Sequence, residues 1–139
     1  FWNNWHITLT QWFRGYFFNP LTRWLRRPGR NVSPLAAVSP LATMLALQVA
    51  TMVLIGLWHG ATWNFVLWGL WHGLGLFAQN RWSEWIQPRL TRAAGAGWQR
   101  ALRAGGVFLT FHYVTLGWVW FALPTPGLAL GVLARMFGG

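Results

Sequence analysis

The sequence has no cysteine, no lysine and a single acidic residue, Glu84. Without cysteine there is no disulfide framework and no thiolate, whether as nucleophile or as metal ligand. Glu84 lies near no histidine in sequence, so a Ser-His-Asp arrangement is not supported within this chain. Charge of either sign is scarce: 9% of the residues, where a soluble domain carries about 25%. With 55% of the residues hydrophobic, an ordinary soluble domain is disfavoured, although 139 residues would be long enough for one. The net charge of +10 raises the question of nucleic acid. The eleven arginines, however, flank apolar spans rather than line an amphipathic face, which is the positive-inside signature of a membrane protein. No nucleic-acid partner is expected; the lipid bilayer is.

Tryptophan, by contrast, is abundant. Thirteen of them fit a protein with wide membrane–water interfaces, where amphipathic rings settle. Between Asn31 and Asn80 the chain carries no formal charge, and inside that stretch stands Gly56-Leu57-Trp58-His59-Gly60-Ala61-Thr62-Trp63-Asn64. A histidine and an asparagine at membrane depth are costly and tend to be functional. The flanking glycines would let backbone or ligand come close to the His59 imidazole.

Residues 1–18 follow a helical pattern, with Trp5, Leu9, Trp12 and Tyr16 on one stripe and Asn4, Thr8, Gln11 and Gly15 on another. Residues 1–20 are therefore expected to form an amphipathic helix at the membrane interface, ended by Asn19-Pro20. His6 falls with Trp2, Leu9 and Phe13 on its apolar flank. Residues 21–40 carry Arg23, Arg26, Arg27 and Arg30 among Pro28, Pro34 and Pro40, a basic loop expected on the cytoplasmic side. The run from Leu41 to Trp58 would make a helix ~27 Å long; residues 65–78 form a second, shorter apolar run. Arg30 and Arg81 bound this unit, which implies a chain that returns to the side it left. A broken or re-entrant helical hairpin over 41–78 is expected, with His59 near its tip. Irregular backbone at membrane depth is tolerated only beside protein or a water-filled cavity, so His59 should adjoin a cavity.

Residues 79–104 should form a second cytoplasmic segment, with Arg81, Arg89, Arg92, Arg100 and Arg103, anchored by Trp82, Trp85 and Trp98. Glu84 is expected to pair there with Arg81 or Arg89. Residues 105–123 read as a transmembrane span containing His112, Pro124 and Pro126 as the far turn, and 127–137 as the start of another helix. The expected fold class is thus all-α: a polytopic transmembrane helical bundle, with residues 1–139 as a single membrane domain. The chain opens at Phe1 within a patterned segment, so a fragment of a longer membrane protein is expected.

Three motifs resemble the membrane-bound O-acyltransferase family, most closely its bacterial branch that acetylates alginate and related polysaccharides. The first is Phe1-Trp2-Asn3-Asn4-Trp5-His6-Ile7-Thr8-Leu9-Thr10-Gln11-Trp12-Phe13-Arg14. The second is Gly56-Leu57-Trp58-His59-Gly60, followed by Asn64-Phe65 and Trp68-Gly69-Leu70-Trp71-His72-Gly73. The third is Thr110-Phe111-His112-Tyr113 with Leu116-Gly117-Trp118-Val119-Trp120-Phe121. Their order and spacing extend the likeness over nearly the whole chain. One departure is Asn3-Asn4, where bacterial relatives often carry basic residues. The resemblance implies that His59 matches the family's catalytic histidine and His6 its second polar position, which is asparagine in some members. It implies a bacterial inner-membrane, multi-pass protein whose N-terminal spans are missing here, so that the fragment alone would be inactive. It also implies an acyl donor thioester (acetyl-CoA or an acyl carrier) as substrate, no bound cofactor or metal, and two kinds of partner. These are a periplasmic SGNH-type acetyltransferase and the polysaccharide export machinery.

Acyl transfer to a hydroxyl needs a base that takes the hydroxyl proton as the oxygen attacks the thioester. Neutral imidazole, with a reference pKa of about 6.5, suits this. Asn64, a Trp N–H or backbone N–H groups are candidates for stabilising the oxyanion; Asn64 could equally cap the returning helix. His72 and Arg14 are possible supporting residues. For His72 and His112 packing is the favoured reading, and for Arg14 contact with phosphates or the helix C-terminus. Two other functions stay open at this point. One is a transporter or scaffold subunit, since the broken hairpin resembles discontinuous transporter helices. The other is a haem carrier with His59 and His112 as axial ligands. His6 and His59 are expected to line one passage that the acyl donor enters from the cytoplasm, with His59 deeper and His6 nearer the entry.

Overall fold

Ser39 and Pro40 begin the most apolar helix. The Ser39 hydroxyl accepts from the Ala42 N–H at 3.2 Å, and proline suits the first helical turn because its missing N–H would have no partner there. The computed structural model describes residues 6–25, 39–92 and 95–139, and among them every regular element is helical. In chain order these are α1 (Ile7–Phe13), a π-helical turn (Arg14–Phe18), α2 (Asn19–Leu25), α3 (Pro40–His59), α4 (Trp63–Arg81), a second π-helical turn (Trp82–Ile86), α5 (Gln87–Thr91), α6 (Ala96–Ala122) and α7 (Pro126–Met136). Residues 1–5, with Trp2, Asn4 and Trp5, and 26–38, with Arg26, Arg27, Pro28, Arg30 and Pro34, lie outside the described residues.

Among the described residues α3 is the one helix both long and apolar enough to cross a membrane, with 20 residues and a mean hydropathy of 1.9. At 1.5 Å per residue it spans ~30 Å, the thickness of a bilayer's hydrocarbon core. The other long helices carry polar groups: α4 has Asn64 and His72, and α6 opens on Gln99, Arg100 and Arg103.

α3 and α4 form an antiparallel pair that turns at residues 60–62. A Cβ built on Gly56 would strike the Phe65 carbonyl; on Gly69 it would lie 2.6 Å from the Val53 Cα, and on Gly73 2.8 Å from the Val49 Cα. As one number rises the other falls, which fixes the direction, and the backbones touch at all three glycines. Gly69 and Gly73 sit four residues apart on one face, the small-residue spacing that lets membrane helices approach closely. α6 then runs antiparallel to α4. Tyr113 meets Gly75, Gly117 meets His72 and Leu123 meets Asn64. Trp71 and Tyr113 lock this seam twice: the indole Nε1 donates to the Tyr113 carbonyl at 3.0 Å, the phenol donates to the Trp71 carbonyl, and the rings stack at 4.7 Å. In this arrangement Arg81, Arg89, Arg92, Arg100 and Arg103 belong to one end of the assembly, and the α3–α4 turn with the α6–α7 turn to the other.

Several sequence expectations change. α4 is not a short run over 65–78 but reaches Arg81, and α6 begins at Ala96, nine residues before the expected span, so Arg100 and Arg103 are helical. Asn19-Pro20 does not end the first helix. The Asn19 N–H reaches back five residues to the Arg14 carbonyl, and this wider π turn admits Pro20, whose ring would clash in an ordinary helix. The same device recurs before Pro88, where the Gln87 N–H bonds the Trp82 carbonyl. The packed face of the first helix is also shifted. Phe13 is buried with Met52 and Ile55, flanked by Leu9 and Phe17, while Trp12 and Tyr16 of the expected stripe are 53% and 74% exposed. This helix therefore leans on α3. Glu84 pairs with Arg81 at 2.8 Å, as one of the two expected partners.

The glycine seam is testable in the purified full-length protein. Gly69→Leu should lower thermal stability in detergent by about 1–3 kcal/mol through overpacking. Gly105→Ala, where a Cβ meets nothing within 4 Å, should leave it unchanged or raise it by up to about 1 kcal/mol. A Gly69→Leu protein that melts like wild type would show that α3 and α4 do not touch there.

Candidate active site

His59 is the last residue of α3, and Gly60 leaves the helix in extended backbone. Its half-buried imidazole sits in an aromatic cage. Phe65 lies nearly parallel at 6.1 Å, and Trp58, Trp68 and Phe121 meet it edge-on at 4.9, 5.7 and 5.1 Å. The three edge-on contacts add about 0.5–1.5 kcal/mol each beyond the area they bury, and with the nearly parallel Phe65 they hold the ring's orientation. Three elements build the cage: α3 supplies Trp58, α4 Phe65 and Trp68, and α6 Phe121.

The open side faces His6, whose ring centroid is 5.8 Å from that of His59. His6 does not lie on a helical flank with Leu9 and Phe13. α1 starts at Ile7, and His6 precedes it with φ 46°, a left-handed conformation rare for a residue with a Cβ. That kink separates the imidazole from the face of α1 that packs on α3. His6 borders a groove of about 420 Å³ whose other walls are Ile7, Thr8, Leu9, Trp12 and Trp58. The two histidines thus share one end of the hairpin, the end away from the arginines, instead of His6 standing nearer the arginine-rich side.

Asn64 neither caps α4 nor faces His59. Thr62 takes the N-cap position, and the Asn64 side-chain N–H donates to the Leu123 carbonyl just past α6. This bond holds the end of α6 against the start of α4 and so brings Phe121, two residues earlier, onto His59. His72 is on α4, 2% exposed, between Trp68 at 4.7 Å and Tyr113 at 6.2 Å. A Cβ on Gly117 would fall 2.6 Å from its Nε2, so the α4–α6 contact closes directly over the ring. Trp68 stands between His72 and His59 and touches both. His112 is outside this centre: it lies on the exposed face of α6 against Phe108 and Phe111, its Nδ1 2.8 Å from the Phe108 carbonyl. It is nine residues, ~13 Å, before Phe121 along α6, and the His59–His112 pairing that haem would need is not formed. Arg14 is exposed in the first π turn, two helical turns from His6.

The residues missed from sequence are the cage itself, Phe65, Trp68 and Phe121. The glycine spacing Gly69-x-x-x-Gly73 could have set α4 against α3 and placed Phe65 and Trp68. Nothing in the sequence marks the Leu123 carbonyl as the partner of Asn64.

No family model matches the chain. Curated relatives do. A peptidoglycan O-acetyltransferase from Helicobacter pylori is 30% identical over 139 residues, and a probable alginate O-acetylase AlgI from Azotobacter vinelandii 34% identical over 137; each match covers 99% of this chain. A teichoic acid D-alanyltransferase from Streptococcus thermophilus is 31% identical over 134 residues, 88% of this chain. The chain belongs to the membrane-bound O-acyltransferase family. It spans about a quarter of the length of these relatives: 29%, 22% and 23% for the teichoic acid, peptidoglycan and alginate proteins. The matched region of the family's proteins thus includes the His6–His59 end and the helices that hold it.

Gly60 supplies a test of the cage. A Cβ there would lie 2.5 Å from the Phe65 ring, so the glycine makes room for the ring that flanks His59. Gly60→Leu should displace Phe65 and, through His59, lower acyl transfer by the full-length protein roughly ten- to hundredfold while it still inserts. Full activity at normal membrane levels would mean that the position of Phe65 does not matter to His59.

Proposed function

We propose that this chain carries the reaction centre of a longer acyltransferase that moves acyl groups, acetyl first among them, across the bacterial inner membrane for O-acylation of an exported polysaccharide such as alginate. The observation that carries this reading is the 5.8 Å approach of His6 to His59 at the mouth of an apolar groove. His59 acts as general base. It takes the proton from the acceptor hydroxyl as that oxygen attacks the carbonyl carbon of the acyl thioester, acetyl-CoA or an acyl carrier. A C–O bond forms, the C–S bond breaks, and the imidazolium returns the proton to the departing thiolate. His6 positions one of the reacting groups by a hydrogen bond and stands nearer the groove, where the acyl group lies against Trp12 and Trp58. The names of the relatives, which specify D-alanyl transfer for teichoic acid and O-acetyl transfer for peptidoglycan or alginate, support acyl transfer and leave the acyl group open between these.

Orientation follows from charge. The arginine-rich end faces the cytoplasm by the positive-inside rule, which sets the histidine end toward the periplasm. The donor reaches it from the cytoplasm by a passage completed by the spans of the full-length, multi-pass protein. A periplasmic SGNH-type acetyltransferase and the export machinery receive the product.

His59→Ala in the full-length protein should remove polysaccharide acylation almost entirely, a loss of roughly 10²–10⁴, with insertion intact. His6→Asn should be milder than His6→Ala, because an amide retains a hydrogen bond. Acylation normalised to membrane protein level is the measurement, and wild-type acylation by His59→Ala would end the general-base assignment.

Topology is checked in a cysteine-free background. A cysteine at Thr91 should react with an impermeant thiol reagent only after the inner membrane is opened, and one at Ala61, at the exposed turn, should react in cells whose inner membrane is intact. The expected cytoplasmic position Ser33 lies outside the described residues. Labelling of both from the same side would show that α3 does not cross.

A further inference from the structure

α1, the first π turn and α2 follow one another without a gap from Ile7 to Leu25. At 1.5 Å per residue this rod is ~28 Å long, close to the hydrocarbon thickness of a bilayer. One end is fixed by His6, whose ring stands 5.8 Å from that of His59, the last residue of α3. Further along, Phe13 is buried with Met52 and Ile55, flanked by Leu9 and Phe17, and the π turn itself packs on α3. A rod that starts at the end of α3 and meets it again at lower residue numbers travels back along it, toward the arginine end. Its last turn carries Arg23, and the sequence continues with Arg26, Arg27 and Arg30. The positive-inside rule sets that end in the cytoplasm.

This direction puts Arg14 at membrane depth. Arg14 follows His6 by eight residues, ~12 Å along the axis, and its side chain is exposed. An arginine at such depth is costly; it faces protein or a water-filled cavity rather than lipid, and pairs with an anion. This chain does not supply the anion, because its single acid, Glu84, is bound to Arg81 at 2.8 Å. Ile7, Gln11 and Arg14 follow at spacings of four and three, so they share one side of the rod. Ile7 lines the groove beside the histidines, and the same side therefore leads from Arg14 up to the place of acyl transfer. A thioester donor built on phosphopantetheine matches this layout: the acyl group at one end, an uncharged arm with two amides, a phosphate at the other. With the thioester at the histidines the arm passes Gln11, whose amide suits its amides, and the phosphate arrives at the guanidinium. The planar fork of arginine binds two phosphate oxygens at once.

We propose that the rod from Ile7 to Leu25 crosses the membrane beside α3, and that Arg14 binds the phosphate of the acyl donor within it. Arg14 is then a positioning residue: by holding the phosphate it sets how far the thioester reaches toward His59. The proposal rests on the acyl-transfer reading and adds to it the residue that tells a phosphorylated donor from a bare thioester.

The test uses the full-length protein in lipid nanodiscs, with phosphopantetheine and pantetheine, which differ by one phosphate, as probes and their S-acetyl forms as donors. Direct binding of both is measured first. Thiol release from the acetyl forms, with an alginate hexamer present, is then followed beside a His59→Ala control. Wild type should bind phosphopantetheine about ten- to hundredfold more tightly than pantetheine, the effect of hydrogen bonds to a charged group. Arg14→Gln should bind the two alike, and its loss in kcat/KM should be confined to the phosphorylated donor. Arg14→Lys should keep part of the preference, since the charge remains and the fork does not. Arg23→Gln, on the last turn of the same rod, should keep all of it. Equal binding of the two probes by wild type, a full preference in Arg14→Gln, or an equal kinetic loss with both donors would overturn the proposal. The same loss in Arg23→Gln would do so too, by assigning the preference to the overall charge of the rod. A preference that depends on Arg14 without His59-dependent thiol release would keep the phosphate site and remove the acyl-transfer reading. His59-dependent release with binding blind to the phosphate would remove the site alone.

Discussion

The backbones of α3 and α4 touch at Gly56, Gly69 and Gly73, and the geometry of the histidine end follows from that contact. A side chain at Gly69 would have to pass through the Val53 Cα or the Met52 carbonyl. With the helices this close, the turn between them needs only residues 60–62, and Phe65 and Trp68 on the first turns of α4 fall beside the last residue of α3. Push the helices apart and the cage opens before any residue in it has changed. In a membrane, where apolar association of helices has no solvent drive, close packing of small residues of this kind is a main source of affinity between helices.

α6 completes the cage and is held differently. Its seam with α4 uses polar atoms: the reciprocal Trp71–Tyr113 pair in the middle and the Asn64–Leu123 bond at the histidine end. These are directional where the glycine contacts are not, so they set register as well as distance. Registering α6 at both points places Phe121 against His59 and Gly117 over His72. His72 then serves as filling for a seam too narrow for anything larger, with Trp68 carrying its contact toward His59.

How much of this could be read from the sequence depends on which force decides each feature. The charge-free stretch bounded by arginines marked the α3–α4 region, because hydropathy and charge are properties of composition. The place of His59 at the end of the apolar α3, near the tip of the hairpin, was legible for the same reason: a polar residue in apolar surroundings stands out. Boundaries set by hydrogen bonding were not. Proline at 20 reads as a helix end until one sees the π turn before it, and the same holds at Pro88. The role of Asn64 was hidden because its partner is a backbone carbonyl, 59 residues away, which any residue could have supplied. His6 was legible as a residue of interest but not in position. Its left-handed backbone takes it off the α1 flank, and periodicity cannot foresee a single residue that leaves the helix.

The single acid of the chain lies bound to Arg81, at the end opposite the histidines. Catalytic histidines commonly owe their tautomer and orientation to a carboxylate, and within the described residues His59 has none beside it. Shape has to do what charge does elsewhere. Four aromatic rings from three helices constrain the imidazole plane. The cage is apolar, and among the described residues it brings no carboxylate to the ring. The scarcity of acidic residues, which leaves a triad unsupported within this chain, is matched by an imidazole that aromatic rings orient.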